Sequence, residues 1–155
     1  MFEHRKKNRL LVLFWFFAIL LLVTFLGSLL NDYFFVNSKN ILNDSDRTWL
    51  QKFFAVCIIA PVSETFLFQY LIIKSLRLIK FKRFYFTNTA IIVTSGFIFS
   101  FAHNSNIIVT FFGIIIGMLF SFSYMYIEKK IDLNPFWSVC GLHSAVNLFG
   151  LIFYG

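Results

Sequence analysis

Apolar residues arrive in five blocks of roughly 18 to 22, and no other feature limits the fold so tightly. They run from Leu10 to Leu30, about Phe53 to Ile73, Thr87 to His103, Ile107 to Ile127, and Asn134 to Phe153. Each is long enough to cross about 30 Å of hydrocarbon as a helix rising about 1.5 Å per residue. The expected fold class is all-α, a polytopic membrane helix bundle of about five transmembrane helices. Composition agrees: the chain is 59% hydrophobic and 14% charged, whereas soluble domains average about 45–50% and about 25%. Five spans leave little room for a soluble domain. The chain divides into 1–52, a basic tail with a first span and an external loop, and 53–155, a core of four spans.

The net charge of +7 does not point to nucleic acid, because the basic residues sit in short segments beside apolar blocks, where they set orientation. Arg5, Lys6, Lys7, Arg9, Lys74, Arg77, Lys80, Lys82, Arg83, Lys129 and Lys130 fall on one side, against Lys39, Arg47 and Lys52 on the other. That bias places the N-terminus in the cytoplasm and the C-terminus outside. The first block reads as an uncleaved span, since a signal h-region is shorter, about 7 to 15 residues. Asn31–Thr48, rich in Asn, Ser and Asp, reads as an exposed loop. Cys57 and Cys140 lie in spans with no paired spacing, so they read as small core residues. Gly113 and Gly117, four apart, read as a helix-packing face. No sequence feature specifies an oligomeric state.

One carboxylate breaks the pattern. Glu64 stands in the apolar run Ala60-Pro61-Val62-Ser63-Glu64-Thr65-Phe66-Leu67-Phe68-Gln69, whereas Glu3, Asp32, Asp44, Asp46, Glu128 and Asp132 lie in polar stretches. A carboxylate in hydrocarbon costs several kcal/mol unless neutralised or paired, so it marks a candidate site. Of three histidines, His4 belongs to the basic tail; His103 ends one apolar run and His143 lies inside another. His143 and Asn147 are four apart and share a helix face, as do Phe99 and His103.

Depth tests whether these groups can meet. Counted from Lys74 and from Asn134, Glu64 and His143 lie roughly 15 Å and 14 Å from the cytoplasmic edge, but His103 comes out near 22 Å. Tilt of the third span, or a bend at Pro61, is expected to close a gap of roughly 8 Å.

The three segments together resemble the CPBP family of intramembrane glutamic endopeptidases, which includes CAAX proteases and bacteriocin-processing enzymes and is also called the abortive infection family. Ala60–Gln69 is similar to the family's Glu-Glu-x-x-x-Arg motif, Phe99-Ser100-Phe101-Ala102-His103 to Phe-x-x-x-His, and His143-Ser144-Ala145-Val146-Asn147 to His-x-x-x-Asn. The match covers about Phe53 to Phe153. Thr65 stands at the second Glu and Gln69 at the Arg; replacing both leaves two neutral groups, four apart, that are expected to hydrogen-bond.

The resemblance implies an intramembrane protease of a bacterial cytoplasmic membrane, acting on a membrane-associated peptide or protein without cofactor or metal. It implies Glu64 as general base, His103 as a holder of the attacking water, and His143 and Asn147 as oxyanion donors. Phe99, Thr65 and Gln69 would support them.

Two other readings compete. One carboxylate and two imidazoles could ligate zinc in a membrane protease, although no His-Glu-x-x-His helix occurs; chelator sensitivity would mark that version. An inactive relative could instead bind a peptide as an immunity or secretion-accessory factor, a reading supported by Thr65 and Gln69.

Overall fold

The computed structural model describes residues 2–34, 48–81, 84–85, 87–103 and 106–154. The chain forms helix α1 (Phe2–Phe34), a continuous helix α2 (Trp49–Leu78), α3 (Asn88–Ala102), α4 (Ile107–Lys130) and α5 (Pro135–Tyr154). Between α2 and α3 a two-residue antiparallel pairing joins β1 (Lys80–Phe81) to β2 (Phe84–Tyr85), with Lys80 opposite Tyr85. Most of the Asn31–Thr48 loop, the side chains of the basic tail, and Lys82, Arg83, Asn104 and Ser105 lie outside the described residues.

Polar side chains at the helix starts explain where the helices begin. Thr48 and Gln51 form a reciprocal capping box at α2, Thr87 accepts from Ala90 N at α3, Asn106 from Val109 N at α4, and Asn134 from Trp137 N at α5. Each fills one of the donors that a helix start leaves unpaired.

Among the described residues four helices are long and apolar enough to cross a membrane: Arg9–Phe34 of α1, α2, α4 and Pro135–Phe153 of α5. The third block differs from its expected length. Its helix, α3, has 15 residues, about 22 Å, short of the roughly 30 Å of hydrocarbon. It runs only from the Thr87 cap, where the block was expected to begin, to His103, which is out of helical conformation and ends it. The chain is an integral membrane helix bundle with four spanning-length helices and one shorter apolar helix.

α4 is the centre of the bundle and touches the other four helices. Phe120, Tyr124 and Ile127 on it are buried, with Phe16 and Leu20 of α1, Ile91 and Phe99 of α3, and Val139 and Val146 of α5 around them. Between helices in lipid, burial from water supplies no force; close backbone approach and hydrogen bonds do. Here α3 and α4 supply both. A Cβ on Gly117 would stand 2.8 Å from Phe99 Cβ and 3.0 Å from Gly96 Cα, so only glycine permits that approach. Ser100 Oγ donates to Thr110 O at 2.6 Å, and Ser121 Oγ to Ser95 Oγ at 2.6 Å, while Ser95 Oγ donates to Phe68 O of α2.

The charged ends of the helices gather together. Arg9 Nη2 meets Asp132 Oδ2 at 2.7 Å, and Glu128 takes Arg77 at 2.7 Å and Lys74 at 3.3 Å.

Candidate active site

Pro61 shapes the segment that carries Glu64. Proline has no N–H to give to a carbonyl one turn back, and the helix just before it is π-helical at Ala55–Ile59; a second π stretch follows at Thr65–Leu71. In the first, Ala60 N–H bonds Ala55 O instead of Val56 O, its α-helical partner. Val56 O is thereby released from the helix ladder, and Asn147 Nδ2 of α5 donates to it at 2.8 Å. The neighbouring Pro61 O faces Cys140 Sγ at 3.7 Å. The π stretch and its proline thus open α2 to α5 on either side of His143.

Three side chains from three helices meet at one oxygen. His103 Nε2 of α3 lies 3.4 Å, and His143 Nε2 of α5 3.6 Å, from Glu64 Oε2 of α2. Both separations are longer than a typical N–H···O bond; Oε2 is sealed from solvent and no donor is in line with it. The side chains are 20% (Glu64), 39% (His103) and 7% (His143) exposed. His143 is thus enclosed and His103 stands at the accessible edge. His103 Nδ1 is 2.9 Å from Phe99 O. A carbonyl only accepts, so Nδ1 carries the hydrogen and Nε2 is left to exchange protons or hydrogen bonds on the Glu64 side. His143 Nδ1 is buried without a hydrogen-bond partner among the described residues.

Each imidazole rests on a phenylalanine. Phe99 lies 4.5 Å from His103 between centroids, and Phe120 of α4 lies 4.5 Å from His143. Phe120, fully buried, is a supporting residue that sequence reasoning missed. It is one of many phenylalanines in an apolar span, with nothing in the sequence to single it out, and only the fold brings it to His143.

The gap in depth closes without invoking tilt. α2 runs on to Leu78, so Glu64 lies about 21 Å from its end, level with the roughly 22 Å counted for His103. The His103 ring also leans back over Phe99, one turn towards the start of α3, as helical side chains do. α5 begins deeper in the bundle: the Phe136 ring meets that of Tyr70, about two turns before the end of α2.

The remaining sequence candidates separate into two groups. Phe99 and Asn147 line the same cavity as Glu64, His103 and His143. Thr65 and Gln69 do not; both are fully buried outside the cavity wall. Their expected hydrogen bond is absent: Thr65 Oγ1, Gln69 Oε1 and Gln69 Nε2 have no partner among the described residues. Both residues fall in the second π stretch, whose wider turn takes positions four apart out of the stacking that an α-helix gives them. A buried unpaired amide costs about 1–3 kcal/mol. Gln69→Met, similar in size and apolar, is therefore expected to raise thermal stability in detergent micelles by a few degrees; a fall would mean that the amide is satisfied.

The cavity has a volume of about 470 Å³. It is walled by Val56, Ala60 and Glu64 of α2, by five residues of α4 including Phe112 and Phe120, and by the histidines. It also takes Thr24, Gly27, Ser28 and Asn31 from α1. Sequence reasoning passed over that contribution, although Thr24, Gly27 and Ser28 are the departures from apolar side chains between Leu10 and Leu30. Among the described residues no group of three His, Cys, Asp or Glu side chains is placed to hold a metal ion.

One acid and two imidazoles thus come together at the wall of a cavity inside a membrane helix bundle. The sequence model of one family, type II CAAX prenyl endopeptidase Rce1-like, matches residues 46–149. The chain belongs to this CAAX protease family, within the wider CPBP grouping that its motifs resemble. No curated protein and no solved structure matches it.

Proposed function

We propose that the protein is an intramembrane endopeptidase that hydrolyses a peptide bond of a membrane-associated protein or peptide by a water molecule activated at Glu64. The observation that carries this reading is the convergence of His103 Nε2 and His143 Nε2 on Glu64 Oε2, at 3.4 and 3.6 Å, on the wall of a cavity. Glu64 takes a proton from the water as its oxygen attacks the carbonyl carbon, and returns that proton to the amine as the carbon–nitrogen bond breaks. His103 Nε2, fixed in direction by the Phe99 carbonyl, holds the water. His143 Nε2–H and the Asn147 hydrogen not given to Val56 O donate to the oxyanion. Each such donor contributes roughly 3–4 kcal/mol where charge develops in a dry site.

Thr65 and Gln69 lie off the cavity, so these departures from the family motif leave its walls unchanged, and this favours an active enzyme over an inactive peptide binder. The gathering of Arg9, Lys74 and Arg77 with their acidic partners at one end of the bundle supports a cytoplasmic N-terminus.

Comparing membrane peptides from cells carrying the native chain or Glu64→Ala tests the reading. An uncut precursor that accumulates only with Glu64→Ala supports it and names the substrate. Identical peptide sets in the two would contradict it.

A further inference from the structure

The cavity and the ion pairs occupy opposite ends of the bundle. Arg9, Lys74, Arg77, Glu128 and Asp132 mark one end, where α2 and α4 finish and α1, α3 and α5 start. Towards the other end the cavity wall runs out to the helix ends themselves. Asn31 stands one turn from the end of α1 at Phe34, Val109 within a turn of the start of α4 at Ile107, and His103 just beyond Ala102, where α3 stops. Among the described residues none of the wall comes so near the charged end; His143, the nearest, is about two turns from Pro135.

The layer between the cavity and the ion pairs is filled. Leu20 of α1, Ile73 of α2, Ile91 of α3, Tyr124 and Ile127 of α4 and Val139 of α5 are each at most 2% exposed. Each also lies a turn or more to the charged side of the nearest wall residue on its own helix. Water or peptide arriving from the charged end therefore meets a closed floor.

Exposure of the reacting groups rises in the opposite direction, from His143 through Glu64 to His103, which stands at a helix end. The rim there is polar: Asn106 Nδ2 at the start of α4 donates to Asn31 Oδ1 near the end of α1 at 2.8 Å, close in the chain to His103. Uncharged polar side chains at the mouth of an otherwise apolar wall suit an opening that water wets.

Lysine and arginine concentrate at the charged end, which is cytoplasmic in the reading above. We propose that the catalytic cavity opens to the external face of the membrane and takes its substrate from there, as segments already exported and resting on the outer leaflet. A cytoplasmic chain end held at the inner leaflet would have to pass the packed layer. This inference deepens the endopeptidase reading and rests on it, including its cytoplasmic N-terminus.

Thiol labelling tests the direction of the opening. Val109→Cys places a thiol on the wall near the rim, and Ser75→Cys places an exposed one beside the ion pairs; the native chain, whose Cys57 and Cys140 are buried, is the blank. The probe is a small, permanently charged methanethiosulfonate that does not cross membranes, added to spheroplasts of a bacterial host or to inverted vesicles from the same cells. Val109→Cys is expected to react about tenfold faster in spheroplasts, and Ser75→Cys about tenfold faster in inverted vesicles. Reaction of both thiols from the cytoplasmic side would overturn the proposal, as would a Val109→Cys thiol that is inert from either side or a Ser75→Cys thiol that reacts in spheroplasts. The substrate gives a second readout: the precursor that accumulates with Glu64→Ala should be digested by proteinase K added to intact spheroplasts. A precursor digested only in inverted vesicles would overturn the external opening and leave the endopeptidase reading standing. Failure of any precursor to accumulate would instead count against that reading, while the labelling would still report the side to which the cavity opens.

Discussion

A Glu64→Gln chain is expected to fold and enter the membrane normally, yet to hydrolyse its substrate about 10²–10⁴-fold more slowly than the native chain, with the loss in kcat. The substitution preserves shape and removes only the ability to take a proton. Stability should hardly fall, because Glu64 Oε2 makes no aligned hydrogen bond that the amide would forfeit, and His103 Nε2 at 3.4 Å can accept from the new N–H. Turnover of precursor purified from Glu64→Ala cells, measured beside a thermal melt, separates lost chemistry from lost fold. Full activity in the glutamine variant would remove Glu64 from the reaction.

The second large effect is expected far from any polar group. Gly117→Leu introduces a side chain where even its first carbon would stand 2.8 Å from Phe99 Cβ and 3.0 Å from Gly96 Cα. α3 and α4 must then part, at a cost of about 1–3 kcal/mol for overpacking. Phe99 carries His103, through the ring contact and through its carbonyl. A displacement of about 1 Å at that imidazole is expected to cost about 10²-fold in rate. Gly141→Ala is the control, since nothing lies within 4 Å of its would-be Cβ, and alanine is the better helix former. Melting temperature and turnover should both fall for Gly117→Leu and hold for Gly141→Ala.

How much of this was legible in the sequence depends on the distance over which the cause acts. Spans are a local property of composition, so the long apolar runs were readable, and Glu64 stood out because charge among apolar neighbours is also local. Helix ends were less legible. Counting depth from Lys74 took the first basic residue for the end of α2, which continues to Leu78; α3 was taken for a full span although its cap at Thr87 and its end before His103 leave 15 residues.

The π stretches around Pro61 could not be read at all, since they depend on which carbonyl each N–H finds. They decide two matters at the site: Val56 O is free for Asn147, and Thr65 and Gln69 do not pair. The part played by α1 was visible in Thr24 and Ser28 as polar breaks in a hydrocarbon run. That they face the cavity depends on where α1 packs against α4, which no local pattern carries.

The central claim is that Glu64 and His143, from distant segments, act on one reacting centre. It is tested most directly by the turnover of Glu64→Gln, His143→Ala and the double variant in lipid nanodiscs, on the precursor that accumulates without Glu64. Groups that act as a unit lose their effect together, so the double variant should be no more than a few-fold slower than the slower single variant. A double variant whose loss equals the product of the two single losses would show that the side chains act independently, and would contradict the account.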